Sequence, residues 1–138
     1  LMSLGIPLNT DSTLKGQTVF LAERCGELMH DNIITDRTIL DVMAFTMNAK
    51  SIPYQDKEAF ETYASEFIRE YDHIFYISPY GIEIEDNGIR ETDEQYRNLI
   101  DSTITTLINK HGHKAGKINK ISGTTEERTL QILHFLQS

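Results

Sequence analysis

Asn-Ile-Ile-Thr-Asp-Arg-Thr-Ile-Leu-Asp, residues 32–41, is the stretch that decides the fold class. The apolar pair Ile33 and Ile34 stops at the acid-base pair Asp36 and Arg37, which opens a helical pattern. The isoleucines are predicted to form a short buried strand whose carboxyl end meets the next helix at that pair. Ligands in open α/β sheets bind in the crevice outside such strand ends. The pair is therefore expected to face a ligand, and the alternative is a structural ion pair or charges at a helix start.

The composition is typical of a soluble globular protein. The chain has 138 residues, of which 39% are apolar and 25% are charged, so a single domain over residues 1–138 is expected. The formal net charge of -8 repels a nucleic-acid backbone, so general nucleic-acid binding is not expected and an anion must be held by locally placed arginines. No apolar stretch is long enough for a membrane span and no signal peptide is recognisable, which favours a cytoplasmic protein without a membrane partner.

The single cysteine, Cys25, excludes an internal disulfide. It falls at helical spacing with Leu21 and Leu28, so a buried core thiol is favoured over a nucleophile. The helix that carries these residues is predicted to start behind the cap signal Asp11-Ser12.

Helical and strand patterns alternate along the chain, which implies a largely parallel sheet. The predicted helices cover residues 13–29, 39–47, 57–71 and 92–111, with a last one from about 125, and the predicted strands cover 5–9, 33–34, 73–78 and 117–122. The third helix carries an apolar stripe of Phe60, Tyr63, Ala64, Phe67 and Tyr71. The last helix is expected to bury Leu130, Leu133 and Leu136.

Residues 80–92 form the one long stretch without periodicity. A loop of this length in a compact domain is usually functional or mobile. It is predicted to be a lid that carries Arg90 and leads into a helix carrying Arg97.

Four stretches in this order resemble a known family. They are Thr-Asp-Arg-Thr-Ile-Leu-Asp (35–41), Tyr-Asp-His-Ile-Phe-Tyr-Ile (71–77), Asp-Asn-Gly-Ile-Arg-Glu-Thr-Asp (86–93) with Tyr96-Arg97, and Ile-Ser-Gly-Thr-Thr-Glu-Glu-Arg (121–128). Together they are similar to the P-loop ATPase and kinase group, which includes the ribosylnicotinamide-kinase domain of the bacterial NAD-biosynthesis regulator and many phage-encoded nucleotide-kinase-like proteins. The resemblance covers nearly the whole chain. It implies a three-layer α/β fold with a parallel sheet, flanked by helices, in the strand order 2-3-1-4-5.

One part of the family pattern is absent from residues 1–138. No Gly-x-x-x-x-Gly-Lys-Ser/Thr occurs there, and Leu14-Lys15-Gly16-Gln17 lacks the glycine spacing that lets backbone amides cradle phosphates. In the resembled fold that loop follows the first strand, which is central. The chain is therefore expected to supply strands two to five without their central neighbour.

A parallel sheet without its middle strand leaves two unpaired edges, which are costly in a core. The favoured explanation is that the sequence is the carboxyl-terminal portion of a larger protein, preceded by a strand-loop-helix unit of about 30 residues. The alternatives are a partner chain that lends a strand, or a degenerate domain that has lost catalysis. The open edges also predict association with another copy, as a homo-oligomer.

The resemblance implies ATP and Mg²⁺ as cofactors and assigns roles by charge. Asp36 would orient the acceptor hydroxyl or hold a water of the magnesium shell, and Arg37 would bind an acceptor phosphate or the transferring group. Arg90 and Arg97 would clamp phosphate oxygens when the lid closes. The alternative for both arginines is solvated surface charge among neighbouring acids.

Further contacts are implied at the edges of the site. Gly123 and Thr124 would bring backbone against the adenine, and Arg128 would pack near it; pairing of Arg128 back to Thr124, or simple exposure, is the alternative. Asp41 would hydrogen-bond a sugar hydroxyl, and its alternative is an ordinary helix-surface carboxylate.

Three function classes follow from these expectations. The first is an ATP-dependent kinase for a nucleoside, nucleotide or related small metabolite. The second is an ATPase or nucleotide-binding module, in which hydrolysis or binding drives a conformational change. The third is a non-catalytic interaction domain that retains the fold without the P-loop.

Overall fold

The computed structural model describes residues 11–77 and 91–137. The elements in chain order are α1 (Leu14–Glu27), α2 (Ile39–Met47), α3 (Tyr54–Ser65) with a 3₁₀ extension (Glu66–Glu70), β1 (His73–Ile77), α4 (Glu91–His111) with a 3₁₀ turn (Gly112–Lys114), β2 (Lys117–Ile121) and α5 (Thr125–Gln137). The fold is therefore mixed α/β, mostly helical, with a small parallel sheet.

The sheet consists of β1 and β2 within the described residues. The strands are parallel, in a register that runs from His73 opposite Lys117 to Ile77 opposite Ile121. Parallel strands need a crossover connection, and α4 supplies it. Because α4 returns the chain to the start of the sheet, its first turns lie toward the carboxyl end of β1 and its last turn lies toward the amino end.

The core is centred on α2, whose sequence is apolar almost all round. Its buried residues are Ile39, Leu40, Val42, Met43, Ala44 and Thr46. A helix that is apolar on every face is stable only when other elements surround it. It packs against α1, α3 and α4, as expected.

Buried polar contacts fix the helices around α2. The Gln17 side chain of α1 donates from Nε2 to Thr46 Oγ1 at 3.0 Å. The Asn48 side chain at the end of α2 donates to Thr103 Oγ1 of α4 at 2.9 Å. The Gln17 contact sets the position of α1, and with it that of Arg24, relative to α2, and the Asn48 contact sets the position of α4.

Two helix starts differ from the predicted ones. The cap of α1 is Thr13, rather than Asp11-Ser12, since its Oγ1 accepts a hydrogen bond from the Gly16 amide at 3.1 Å. The helix predicted from residue 57 begins at Tyr54, because the Pro53 carbonyl already accepts a hydrogen bond from the Lys57 amide at 3.0 Å.

The prediction of a buried strand at Ile33-Ile34 is wrong. These residues have no regular structure, and their side chains are 42% and 89% exposed. A two-residue strand is stable only as part of a sheet. Within the described ranges no strand lies beside them, so the apolar pair remains in an irregular loop.

The predicted burial of Leu130, Leu133 and Leu136 is also wrong. These side chains are 62%, 48% and 46% exposed. The helix instead packs on β2 with its other face, where Ile132 and Phe135 are half-buried and the Phe135 ring lies 6.3 Å from that of Phe75. Leu130 and Leu133 point away from the face that carries residues 132 and 135, and Leu136 lies at its edge, where it lines a cavity together with Ile132.

The other sequence expectations have mixed outcomes. Tyr63, expected in the core stripe of α3, is 64% exposed, whereas Phe60, Ala64 and Tyr71 are buried. Cys25 is half-buried, and burial raises the pKa of its thiol, which disfavours the nucleophilic thiolate. The predicted strand at 5–9 and Arg90 in the predicted lid lie outside the described residues. No helix in the described part of the chain is long and apolar enough to cross a membrane.

Candidate functional site

A cavity of about 810 Å³ lies between the loop that joins α1 to α2 and one edge of β1. Its lining includes residues 30–38 and all of β1, from His73 to Ile77, but no residue of β2. The cavity therefore follows the edge of β1 that faces away from β2. Residues of α4 and the end of α5 complete its wall.

Four of the residues predicted from the sequence line this one cavity: Asp36, Arg37, Asp41 and Arg97. They come from the α1–α2 loop, from α2 and from α4, so the tertiary structure brings together residues that are about 60 positions apart. The structure shows no hydrogen bond or ion pair between Arg97 and either Asp36 or Arg37 within its described ranges. They share a space that is large enough for a ligand between them.

Side chains from two other elements hold the turn at residues 36–39. Arg24 of α1 donates from Nη1 to the carbonyl oxygen of Asp36 at 3.2 Å. The hydroxyl oxygen of Tyr71, just before β1, accepts a hydrogen bond from the Ile39 amide at 3.1 Å. The backbone of the turn is thus fixed from both sides.

A capping box starts α2 within the same turn. Thr38 Oγ1 accepts from the Leu40 amide at 3.1 Å, and Asp41 Oδ2 accepts from the Thr38 amide at 2.7 Å. Burial raises the pKa of Asp41, while the Thr38 hydrogen bond and the charge of Arg37 act in the opposite direction. One oxygen of Asp41 is therefore committed to the cap. The sequence analysis missed this role, although the spacing Thr-x-x-Asp is its usual signal.

The backbone of the loop is left-handed at two non-glycine residues. Asn32 has φ 55° and Arg37 has φ 74°. Asparagine tolerates this region, but for arginine it costs of order 1–3 kcal/mol and persists only where surrounding contacts impose it. Such strained positions are frequent at ligand sites.

Arg97 lines the cavity with a half-buried side chain. Its Nε is buried without a hydrogen-bond partner among the described residues. A buried donor of this kind costs about 1–3 kcal/mol unless something satisfies it.

Two cavity residues were missed by the sequence analysis. Asp101, one helical turn after Arg97, is only 8% exposed, and its Oδ1 accepts a hydrogen bond from the Tyr76 hydroxyl. Both line the cavity. The signal for Asp101 was its i+4 position relative to Arg97, which places the two on one face of a helix.

The segment at the start of α5 does not line the cavity. Gly123 has φ +100°, and Thr124 forms a capping box with Glu127 through hydrogen bonds of 3.1 and 3.3 Å. Arg128 turns back on its own helix, donating from Nε to the Thr124 carbonyl at 3.4 Å and from Nη2 to Thr125 Oγ1 at 3.0 Å. This is the pairing named as its alternative, and contact of the segment with adenine stays a prediction.

Comparison with known proteins identifies the family. A family model described as an AAA domain matches residues 13–128. No curated protein and no solved structure is significantly similar to the chain. AAA domains of this kind are of the P-loop NTPase type, with a nucleotide-binding, ATPase-like function. Because the match extends from the cap of α1 into α5 and includes the whole cavity-lining loop, the chain belongs to this AAA domain family.

Proposed function

We propose that the protein catalyses ATP-dependent phosphoryl transfer to a nucleoside, a nucleotide or a related small metabolite. The observation that carries this proposal is the presence of Asp36, Arg37 and Arg97 in the lining of one cavity. A carboxylate and two guanidinium groups around one space suit a polyanion and an acceptor hydroxyl. The family match supports nucleotide binding, and the acceptor is the part that we infer.

The residues present fit ATP and Mg²⁺. Guanidinium groups bind phosphate oxygens bidentately, and Arg37 and Arg97 offer two of them. Mg²⁺ usually takes one or two carboxylates together with phosphates and water, and Asp36 and Asp101 are the carboxylates that we assign to it. When bound, the ion neutralises charge on the phosphates. No group of three His, Cys, Asp or Glu side chains suited to a metal occurs in the described part of the chain, so the nucleotide would supply the remaining ligands.

The roles of the side chains follow from their positions. Asp36 either accepts a hydrogen bond from the acceptor hydroxyl, orienting it toward the transferring phosphoryl group, or holds a water of the magnesium shell. Arg37 binds an acceptor phosphate or the transferring group, while Arg97, with Arg90 from the lid, holds phosphate oxygens. The second oxygen of Asp41 remains for a sugar hydroxyl, since the first is used by the cap.

Gly123, Thr124 and Arg128 are proposed to contact the adenine. They lie at the carboxyl end of β2, which is the side of a parallel sheet where ligands bind. Gly123 has a left-handed φ at this turn, and the Glu127 side chain lies close to it, 3.0 Å from where a Cβ on Gly123 would stand.

We propose that a further parallel strand completes the sheet, giving the three-layer, P-loop kinase-like fold. The cavity is lined by the edge of β1 that has no strand partner among the described residues, and by the exposed pair Ile33-Ile34. A strand placed between them would pair with β1 and cover the isoleucines, and the part of the cavity beside Asp36, Arg37 and Arg97 would remain for the nucleotide. A strand from a second copy is the alternative occupant, and it would make the protein a homo-oligomer.

The test is ATP turnover by the full-length protein, measured with and without a panel of nucleosides and nucleotides. We expect turnover to depend on one acceptor class. Asp36→Asn should lower it by a factor on the order of a hundred with little change in melting temperature. The matched control is Asp56→Asn, on α3 and outside the cavity lining, which should leave turnover unchanged.

The other outcomes identify the alternatives. Phosphate release that no acceptor accelerates indicates an ATPase. Absence of both turnover and ATP binding indicates an interaction domain. If Asp36→Asn lowers the melting temperature while the folded fraction keeps its turnover, Asp36 is structural and the proposed role is wrong.

A further inference from the structure

Arg24 does not line the cavity, yet it contacts the turn that does. Its Nη1 donates to the Asp36 carbonyl at 3.2 Å and to Glu27 Oε2 at 3.1 Å, and its side chain is only 21% exposed. We propose that Arg24 is a positioning residue that directs Arg37 toward the bound phosphate. The inference rests on the proposed function, because it takes Arg37 as an anion ligand.

The geometry of one peptide group explains how Arg24 would act. The Asp36 carbonyl belongs to the planar peptide that joins Asp36 to Arg37, so holding its oxygen fixes the orientation of that plane. The plane in turn sets the φ of Arg37, which is 74°. Left-handed backbone is strained for a residue with a side chain, so a rotation of this peptide would relieve strain if nothing opposed it. Arg24 opposes it.

The neighbouring peptide groups have other supports. Thr35 Oγ1 donates to the carbonyl of Arg37 at 3.0 Å, and the Thr38 amide is held by Asp41. Among the described hydrogen bonds, the one to the Asp36 carbonyl comes from Arg24. Loss of Arg24 is therefore expected to let the peptide group between Asp36 and Arg37 rotate, while the start of α2 remains capped.

The charge of Arg24 is close to the turn but largely compensated. Arg24 is among the groups that lower the pKa of Asp41 and of Tyr71, each against burial that raises it. Glu27 pairs with the same Nη1 atom. Arg24 should thus act on the cavity through its hydrogen bond to the backbone, since the adjacent carboxylate offsets much of its field.

Calorimetric titration of the full-length protein with ATP, together with the NMR three-bond HN–Hα coupling of Arg37, which reports its φ, tests the proposal. Arg24→Gln should weaken ATP binding roughly tenfold, the usual effect of losing a charge-assisted hydrogen bond, and should change the Arg37 coupling. Glu27→Gln removes the ion pair but leaves the contact with Asp36, so its binding should stay within about twofold of the wild type. Arg24→Lys keeps a donor and should recover part of the loss.

A double-mutant cycle separates positioning from a general structural role. In an Arg37→Ala background, Arg24→Gln should weaken ATP binding no further, because the side chain that it positions is gone. Additive losses would overturn the proposal. If Arg24→Gln does not fold, Arg24→Lys is carried through the same cycle with the same criterion. Unchanged ATP binding by Arg37→Ala alone would contradict the anion site itself, whereas an unchanged Arg37 HN–Hα coupling in Arg24→Gln would contradict only the positioning role.

Discussion

The hydroxyl oxygen of Tyr71 accepts a hydrogen bond from the Ile39 amide at 3.1 Å, which ties the residue before β1 to the first residue of α2. Burial raises the pKa of Tyr71 to about 12, so the phenol stays protonated at neutral pH. Both residues adjoin the cavity, whose two walls are therefore joined at this point. Farther along, at Ile33 and Ile34, no such tie is present in the described structure, and the space between the walls stays open.

Arg37→Gly should separate stability from binding. The substitution removes left-handed strain of roughly 1–2 kcal/mol, which stabilises the folded state. It also raises the entropy of the unfolded chain, which destabilises the folded state by roughly 0.4–1 kcal/mol, so the free energy of unfolding should rise by up to about 1 kcal/mol. ATP binding should weaken, because the guanidinium is lost. Arg37→Ala is the control, since it loses the same group but keeps the strain. Denaturant unfolding and ATP titration of the two variants measure both effects, and a glycine variant less stable than the alanine variant by about 0.4–1 kcal/mol would show that φ at Arg37 carries no strain.

Arg97→Gln should weaken ATP binding without weakening the fold. The buried Nε has no partner to lose, so the free energy of unfolding should not fall. ATP affinity should drop roughly tenfold at low salt and less at high salt, because screening already reduces the contribution of a partly exposed charge. Arg69→Gln is the control, since Arg69 is exposed, pairs with Glu66 and lies outside the cavity lining. Affinity losses that do not vary with salt would argue against a direct contact between Arg97 and phosphate.

Ile34→Ser tests whether a strand fills the cavity in the full-length protein. A side chain that is 89% exposed should tolerate this change within about 0.5 kcal/mol, whereas one covered by a strand should lose about 2 kcal/mol or more. We expect the larger loss. Met29→Ser is the control, because Met29 is 83% exposed and is not part of the apolar pair. Denaturant unfolding gives both values, and equal small effects would leave the strand proposal without support.

Glu61→Gln should reduce stability in a pH-dependent manner. Glu61 Oε2 contacts Lys110 Nζ at 2.6 Å and His111 Nε2 at 2.9 Å, which links α3 to the end of α4. Burial raises the pKa of Glu61, but the hydrogen bonds from these two residues outweigh it and hold the pKa below the ordinary 4.5. A carboxyl whose pKa is lowered by folding stabilises the protein above its unfolded pKa, and the contribution is lost as pH falls through the folded value.

The expected loss for Glu61→Gln is about 2 kcal/mol at pH 7, the usual size for hydrogen bonds to a charged group. The difference from the wild type should shrink as the pH falls below about 4.5. Unfolding curves recorded at intervals of roughly one pH unit between pH 3 and pH 7 would measure this difference in the free energy of unfolding. Glu66→Gln is the control, since Glu66 pairs with Arg69 and Lys114 at the surface and should change little. A difference that is constant with pH would exclude the charge of Glu61 as the cause.

Several features of the fold were predictable because they depend on neighbours in sequence. The start of α2 at Ile39 follows from Thr38 and Asp41, which form a local cap. The strands at His73–Ile77 and Lys117–Ile121 fall within the predicted 73–78 and 117–122. Short apolar runs bounded by turn residues specify these elements without reference to distant contacts.

The sequence by itself determined the alternation of strand and helix from His73 onward, the approximate positions of the helices, and the presence of Asp36 and Arg37 just before the start of α2. Only the tertiary structure decided that Arg97 shares a cavity with them, that Arg24 holds the Asp36 carbonyl, and that Ile33-Ile34 remains outside the sheet. The physical reason is the range of the interactions. A cap or a helical stripe is satisfied within a few residues, whereas a strand exists only beside another strand, and a site exists only where separate elements meet.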